Sequence, residues 1–210
     1  MLKLGVLLSG RGTNLQAIVD AIEAGRLNAK ICTVISNVAG VHGLERAREA
    51  GILHKVIDHR AYPDRQAFEE ALLKVLRREQ VEYVVLAGFM RILTPFFLEA
   101  FSMRIINIHP SLLPAFPGID AQAAAFRYGV RISGCTVHFV DQSCDGGPII
   151  AQVAVPVLSD DSEETLAARI LAAEHQLLPQ VLQWIAEGRV RIENAFQSEK
   201  QRPRVLISPS

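Results

Sequence analysis

Asn107 and His109 stand two apart at the end of an apolar run, Ile105-Ile106-Asn107-Ile108-His109, which Pro110-Ser111-Leu112-Leu113-Pro114 closes. An extended chain projects residues i and i+2 to one face, so an amide and an imidazole come side by side there. The two prolines forbid the strand from continuing. Polar groups at the end of a buried strand are costly unless something engages them. Downstream, Asp145-Gly146-Gly147-Pro148 sets a carboxylate on a glycine turn. Taken singly, His109 is a turn-capping histidine and Asp145 an ordinary turn aspartate. Taken together, and with the loops described next, Asn107, His109 and Asp145 are expected to meet as an acid/base and oxyanion-stabilising site.

A second chemistry-bearing stretch is Ser9-Gly10-Arg11-Gly12-Thr13-Asn14, after the apolar run Leu4 to Leu8. Thr13 is the expected N-cap of a helix running to about Glu23, with Gln16 completing a capping box. Strand, glycine loop and helix start form the usual cradle for an anion on backbone N–H groups. The spacing is G-x-G-x-N rather than G-x-G-x-x-G, and Ser36-Asn37 stands where a dinucleotide-binding unit carries its acidic residue. A single phosphate is therefore the expected ligand, against a plain tight turn. Gly88-Phe89-Met90-Arg91-Ile92-Leu93 is apolar for a loop after a strand. It is either tucked into the core or a slot for a flat apolar ring. Arg65 lies in the first turn of a helix, where a cation opposes the dipole. Such an arginine is ordinarily solvated, though a ligand could hold it. His138, between Val137 and Phe139, is read as a satisfied core histidine. Glu174 lies mid-helix beside an apolar stripe; facing a cleft, it would accept hydrogen bonds from hydroxyls.

These groups need a scaffold. Strands are expected at Leu4–Leu8, Ile31–Ile35, Val56–Ile57, Tyr83–Ala87 and the Ile105 run. Helices alternate with them: Leu44–Ala50, Tyr62 to about Arg78, one opened by Thr94-Pro95, and Asp120–Tyr128. Alternation implies a mostly parallel sheet with right-handed crossovers. Ser133–Val140 and Ile149–Val155, joined by the Asp141–Pro148 turn, predict a hairpin that closes the sheet with an antiparallel edge. A long amphipathic helix follows from Asp160-Asp161-Ser162, with Pro179 expected to kink or interrupt it, and Val190–Glu193 is a short strand. The fold class is α/β, a Rossmann-like doubly wound, mostly parallel sheet with an antiparallel C-terminal edge. One domain is expected over 1–195, and 196–210 as a partly disordered tail.

Composition narrows the function. The chain has 210 residues, with 22 basic and 22 acidic side chains and no net charge, which argues against a dedicated nucleic-acid binder. No apolar run reaches membrane-spanning length. The segment before the glycine loop is too short for a signal peptide. Cys32, Cys135 and Cys144 have neither metal-ligand spacing nor an even count, so they are read as reduced thiols in a cytoplasmic protein with no metal site.

The segments N-I-H-P-S-L-L-P, G-F-M-R-I-L, G-C-T-V-H-F-V and D-G-G-P-I-I, with S-G-R-G-T-N-L-Q near the start and A-A-E-H in the last helix, resemble in order and spacing the phosphoribosylglycinamide formyltransferase family of the folate-dependent formyltransferases. The resemblance covers roughly residues 1–195. It implies 10-formyltetrahydrofolate as co-substrate, with no metal, and transfer of its formyl group to the amine of 5'-phosphoribosylglycinamide. It assigns Gly12, Thr13 and Asn14 to the substrate phosphate and nearby groups, and Leu171, Ala172, Ala173 and Glu174 to substrate contacts. Arg65, Met90, Arg91, Ile92, Leu93, Asn107, Asp141, Gln142, Ser143, Cys144 and Asp145 would contact the folate. Asn107, His109 and Asp145 would be the catalytic trio. Asn107 and protonated His109 would stabilise a tetrahedral intermediate, Asp145 would tune the histidine and relay a proton through water, and Thr136 would support the network. The residues around 115 to 121, where some members carry a histidine or lysine, are here Ala115, Asp120 and Ala121. Small-molecule substrates are expected, with no nucleic-acid or membrane partner, in a monomer or homodimer. Neither the C-terminal tRNA-binding domain of methionyl-tRNA formyltransferases nor the N-terminal regulatory domain of formyltetrahydrofolate hydrolases is expected.

Overall fold

Leu4, Val6, Leu7 and Leu8 are wholly buried, and they belong to β1 (Leu2–Leu8), which lies between two parallel neighbours. A strand covered on both faces needs a continuous apolar run, which is what this segment supplies. The structure, a computed structural model, describes residues 1–193 and 203–209. The chain divides into two compact units, Met1–Asn107 and Ile108–Ser210. The strands of the main sheet run in the order β3-β2-β1-β4-β5-β6-β7.

In the first unit, β1 pairs in parallel with β2 (Ala29–Ser36) and β4 (Tyr83–Leu86). β3 (His54–Val56) extends β2, and β5 (Ile105–His109) extends β4. The connecting helices are α1 (Thr13–Glu23), α2 (His42–Glu49), α3 (Arg65–Arg78) and α4 (Pro95–Ala100). α3 buries Phe68, Leu72, Leu73, Val75 and Leu76, one stripe at helical spacing. Its start is fixed by Asp64, whose carboxylate accepts from Ala67 N–H at 2.8 Å.

The second unit holds α5 (Ala121–Tyr128), β6 (Ile132–Phe139), β7 (Ile149–Pro156) and α6 (Glu163–Ala186). β6 and β7 form the expected antiparallel hairpin. α6 packs on both strands and buries Leu166, Ile170, Leu177, Leu178, Val181 and Leu182. Gly134 and Gly147 are dictated by close backbone approach: a Cβ at either would fall 2.0 Å from the Val153 carbonyl oxygen or 1.9 Å from that of Phe139.

Two expectations change. Thr13 does not cap α1; Gly12 holds the N-cap position at φ 69 with no side-chain cap, and Gln16 donates to Asp20 instead. A left-handed residue suits glycine and leaves the helix start open. Pro179 does not interrupt α6, which runs unbroken for 24 residues. Pro179 is buried with the apolar stripe, so packing outweighs the lost backbone bond. Within the expected tail, Arg204–Ile207 forms β9, antiparallel to β8 (Val190–Glu193). The rest of the tail expectation, at 196–202 and 210, lies outside the described residues.

Candidate active site

β5 carries Asn107 and His109 on one face by strand alternation, with His109 buried and Asn107 half-buried. In the second unit, His109 Nδ1 lies 3.5 Å from Asp145 Oδ2. Its Nε2 lies 2.8 Å from the Phe116 carbonyl oxygen. A carbonyl can only accept, so the Nε2 contact places an N–H on that nitrogen. Asp145 Oδ2 also accepts from Gly118 N–H at 2.7 Å. The carboxylate thus joins the glycine turn of the hairpin to the loop after β5. Asp145 and Phe116 both adopt left-handed backbone, at φ 51 and 53. For a bulky residue such as Phe116 that conformation costs about 1–2 kcal/mol. Bonds from His109 and from Ser111 Oγ (3.2 Å) hold its carbonyl, as does the edge-to-face contact of its ring with Tyr128.

His138 is buried, with Nδ1 2.9 Å from the Phe139 carbonyl. Its Nε2 lies 3.8 Å from Asp145 Oδ1, beyond hydrogen-bond length. Burial, the largest influence, pushes its pKa down and favours the neutral ring. The reading of His138 as a satisfied core histidine therefore stands, with the addition that it backs the aspartate.

Thr136 is wholly buried. Its hydroxyl donates to the Ser111 carbonyl at 2.7 Å and accepts from Leu113 N–H at 3.1 Å and Gln152 Nε2 at 2.9 Å. It braces the turn after His109. In the Asp141–Asp145 loop, the Asp141 carboxylate accepts from Ser143 N–H at 2.8 Å and from the Ser143 hydroxyl, a local turn that leaves Gln142, Ser143 and Cys144 exposed. On α6, Leu171 and Ala173 are half-buried and Ala172 is exposed, while Glu174 is buried at 4 % exposure.

The first unit holds the other predicted groups. Gly12 and Asn14 are buried and Thr13 half-buried. The glycine loop is braced by α2: Gly43 N–H donates to Gly10 O at 3.0 Å, and Arg46 Nε to Arg11 O at 3.0 Å. A Cβ on Gly12 would lie 2.5 Å from Gly43 Cα, so this approach requires glycine. After β4, Phe89 and Leu93 are buried, whereas Met90 and Ile92 are 69 % and 67 % exposed. Phe89 and Leu93 are thus tucked into the core, and Met90 and Ile92 stand open to solvent. Arg65 and Arg91 come together in a pocket of about 180 Å³, lined also by His59, Tyr62, Asp64 and Phe68.

The sequence reading missed Phe116, Gly118, Arg46, Ser9, Asn37 and Glu69. Their partners are long-range, and no spacing rule links them; the one available signal was Glu69, a carboxylate on the apolar face of α3.

The fold is an α/β, mostly parallel sheet with a glycine loop after its first strand and a histidine at the end of β5. A family model described as formyl transferase matches residues 2–182, and the chain belongs to that family. It is 43 % identical over 198 residues to the phosphoribosylglycinamide formyltransferase of Escherichia coli (strain K12), covering 94 % of this chain and 93 % of that protein. It is 49 % identical over 199 residues to the trifunctional purine biosynthetic protein adenosine-3 of Drosophila pseudoobscura pseudoobscura, covering 94 % of this chain but 15 % of that protein; the chain spans a small part of such relatives. The crystal structure of glycinamide ribonucleotide transformylase 1 from Symbiobacterium toebii superposes with a TM-score of 0.93 at 50 % identity, covering 100 % of this chain and 95 % of that one.

Proposed function

We propose that this chain transfers the formyl group of 10-formyltetrahydrofolate to the amine of 5'-phosphoribosylglycinamide in purine biosynthesis, with residues 1–195 working as one formyltransferase domain in the cytoplasm. The observation that carries this reading is the His109–Asp145 pair at 3.5 Å, two residues along the strand from Asn107.

The amine attacks the formyl carbon. A C–N bond forms, and negative charge collects on the formyl oxygen. Collapse of this tetrahedral species breaks the bond to the folate nitrogen, which takes up the proton that the amine gives up. Asn107 and protonated His109 stabilise the oxyanion; one such donor is typically worth about 2.7–4 kcal/mol of barrier. The Nε2 proton faces the Phe116 carbonyl, so donation from it requires exchange of that partner for the formyl oxygen. Asp145 keeps the imidazolium compensated and passes the amine proton through water. Thr136 holds the turn on which the histidine depends.

The uncapped start of α1, with Gly12 at its N-cap, suits the substrate phosphate on Gly12, Thr13 and Asn14. Glu174, with Leu171 to Ala173, suits contacts to the substrate's hydroxyls. Exposed Met90 and Ile92 suit the apolar ring of the folate, alongside Leu93, and Arg65 and Arg91, which line one pocket, suit its carboxylate end. The family resemblance extends the folate contacts to Asn107 and to the Asp141–Asp145 loop, whose Gln142, Ser143 and Cys144 are exposed.

A two-substrate absorbance assay on the purified protein, with chelator present, tests this. Folate product is expected only when both substrates are supplied. Folate release without the amine substrate would favour a hydrolase instead.

A further inference from the structure

The loop Gly88–Leu93 carries the exposed apolar side chains Met90 and Ile92, yet its backbone is tied down at both ends by side chains from distant parts of the first unit. At the front, Ser9 N–H donates to the Gly88 carbonyl at 3.0 Å. The Ser9 hydroxyl accepts from Met90 N–H at 2.9 Å and donates to Asn37 Oδ1 at 2.6 Å. Asn37, buried at the end of β2, continues through Nδ2 to His59 Nδ1 at 3.3 Å. His59 lines the pocket that holds Arg65 and Arg91, with its ring edge-on to Phe68.

At the back, Glu69 on α3 is 2 % exposed. Burying a carboxylate is costly, and its oxygens must be engaged. One oxygen accepts from Thr94 N–H at 2.8 Å and the other from the Thr94 hydroxyl. Thr94 directly follows the loop. Arg65 precedes Glu69 by four residues on the same helix, so the two lie on one face. The Glu69–Thr94 bonds therefore set the spacing between α3, which bears Arg65, and the loop, which bears Arg91. Thr94 is the N-cap of α4, so the same bonds also set a carboxylate at that helix start, a structural role from which the folate readouts below must be separated.

We infer that Ser9 and Glu69 are positioning residues for the formyl folate: they hold the Gly88–Leu93 loop in its binding shape before the co-substrate arrives. The inference rests on the folate reading above. Loss of either clamp lets the loop sample other shapes, and the apparent affinity falls by the fraction of molecules still in the competent one. The phosphate cradle is fixed separately by Gly43 and Arg46, so substrate binding need not follow.

The test is steady-state kinetics on Ser9→Ala, Glu69→Gln, Thr94→Val and Thr94→Ser, with circular dichroism to establish folding. Ser9→Ala and Thr94→Val are expected to raise KM for 10-formyltetrahydrofolate about tenfold. KM for the ribonucleotide and kcat at saturation should stay within about twofold, and Thr94→Ser, which keeps the hydroxyl, should restore most of the loss. Glu69→Gln should resemble Thr94→Val. Calorimetric titration of tetrahydrofolate into each folded variant reads the same loss without turnover. Folate KM and affinity unchanged in Ser9→Ala and Thr94→Val, or both substrates weakened in parallel, would overturn the inference. Wild-type protein inactive with both substrates would instead overturn the function beneath it.

Discussion

Asp145 Oδ2 accepts from Gly118 N–H at 2.7 Å and lies 3.5 Å from Nδ1 of His109, the last residue of β5. The aspartate thus has a structural bond and an electrostatic one at the same oxygen. Substitution can separate them. Asp145→Asn keeps an oxygen acceptor for Gly118 but removes the charge beside the imidazole. Turnover is expected to fall about a hundredfold or more, the range of a lost acid–base partner, with the melting temperature little changed. Steady-state kinetics with thermal melts checks this; turnover within threefold of wild type would count against the role of Asp145.

His109→Ala should lower kcat by about two to three orders of magnitude, the loss typical of a missing oxyanion donor. The Phe116 carbonyl loses its imidazole partner but keeps Ser111 Oγ, so the far-ultraviolet spectrum is expected to remain native. Single-turnover measurements would place the loss in the chemical step.

Gly147→Ala should both destabilise the protein and impair turnover. Its Cβ would meet the Phe139 carbonyl oxygen at 1.9 Å, so the turn bearing Asp145 must shift. Forced overpacking of this kind costs about 1–3 kcal/mol. Gly10→Ala is the control for stability, because a Cβ there meets nothing within 4 Å. Equal melting temperatures for the two variants would refute the argument from backbone approach.

Acid should weaken the start of α6. Hydrogen bonds from Arg169, then from Leu158 N–H and the Thr165 hydroxyl, hold the Asp161 carboxyl well below the usual carboxylate range despite some desolvation. A depressed folded-state pKa gives stability that is complete above the unfolded value, about 3.9, and is lost as pH falls through the folded one. Asp161→Asn should therefore melt below wild type at pH 7, with the difference shrinking as pH drops beneath about 4. A difference that stays constant down to pH 2 would contradict the linkage.

The thiols should also separate. Burial, with Glu174 adding to it, pushes the Cys135 thiol up to about 12, so at pH 8 it stays protonated and inert. Exposed Cys144 and half-buried Cys32 should react with a thiol reagent in the native protein, and Cys135 only after unfolding. Mass spectrometry of labelled peptides decides it.

The order of strands and helices was legible in the sequence because each element carries its own period: continuous apolar runs for β1 and β4, a helical stripe on α3, alternation in β6. The approach of His109 to Asp145 was expected from residue types at strand and turn ends. Local rules failed where a neighbour decides the outcome. Thr13 had the composition of a cap, but the proximity of Gly43 to Gly12 reshaped the turn. Pro179 predicts a kink or an interruption, yet α6 runs unbroken with its apolar stripe buried. β9 is a strand because β8 lies beside it. Sequence alone determined which segments fold as which element and which few residues carry chemistry, since those follow from periodicity and functional groups. Tertiary structure alone decided the partners: Phe116 and Gly118 around the histidine–aspartate pair, and Ser9 and Glu69 on the loop after β4. Contacts between residues far apart in the chain depend on how the elements pack, and no local pattern encodes that.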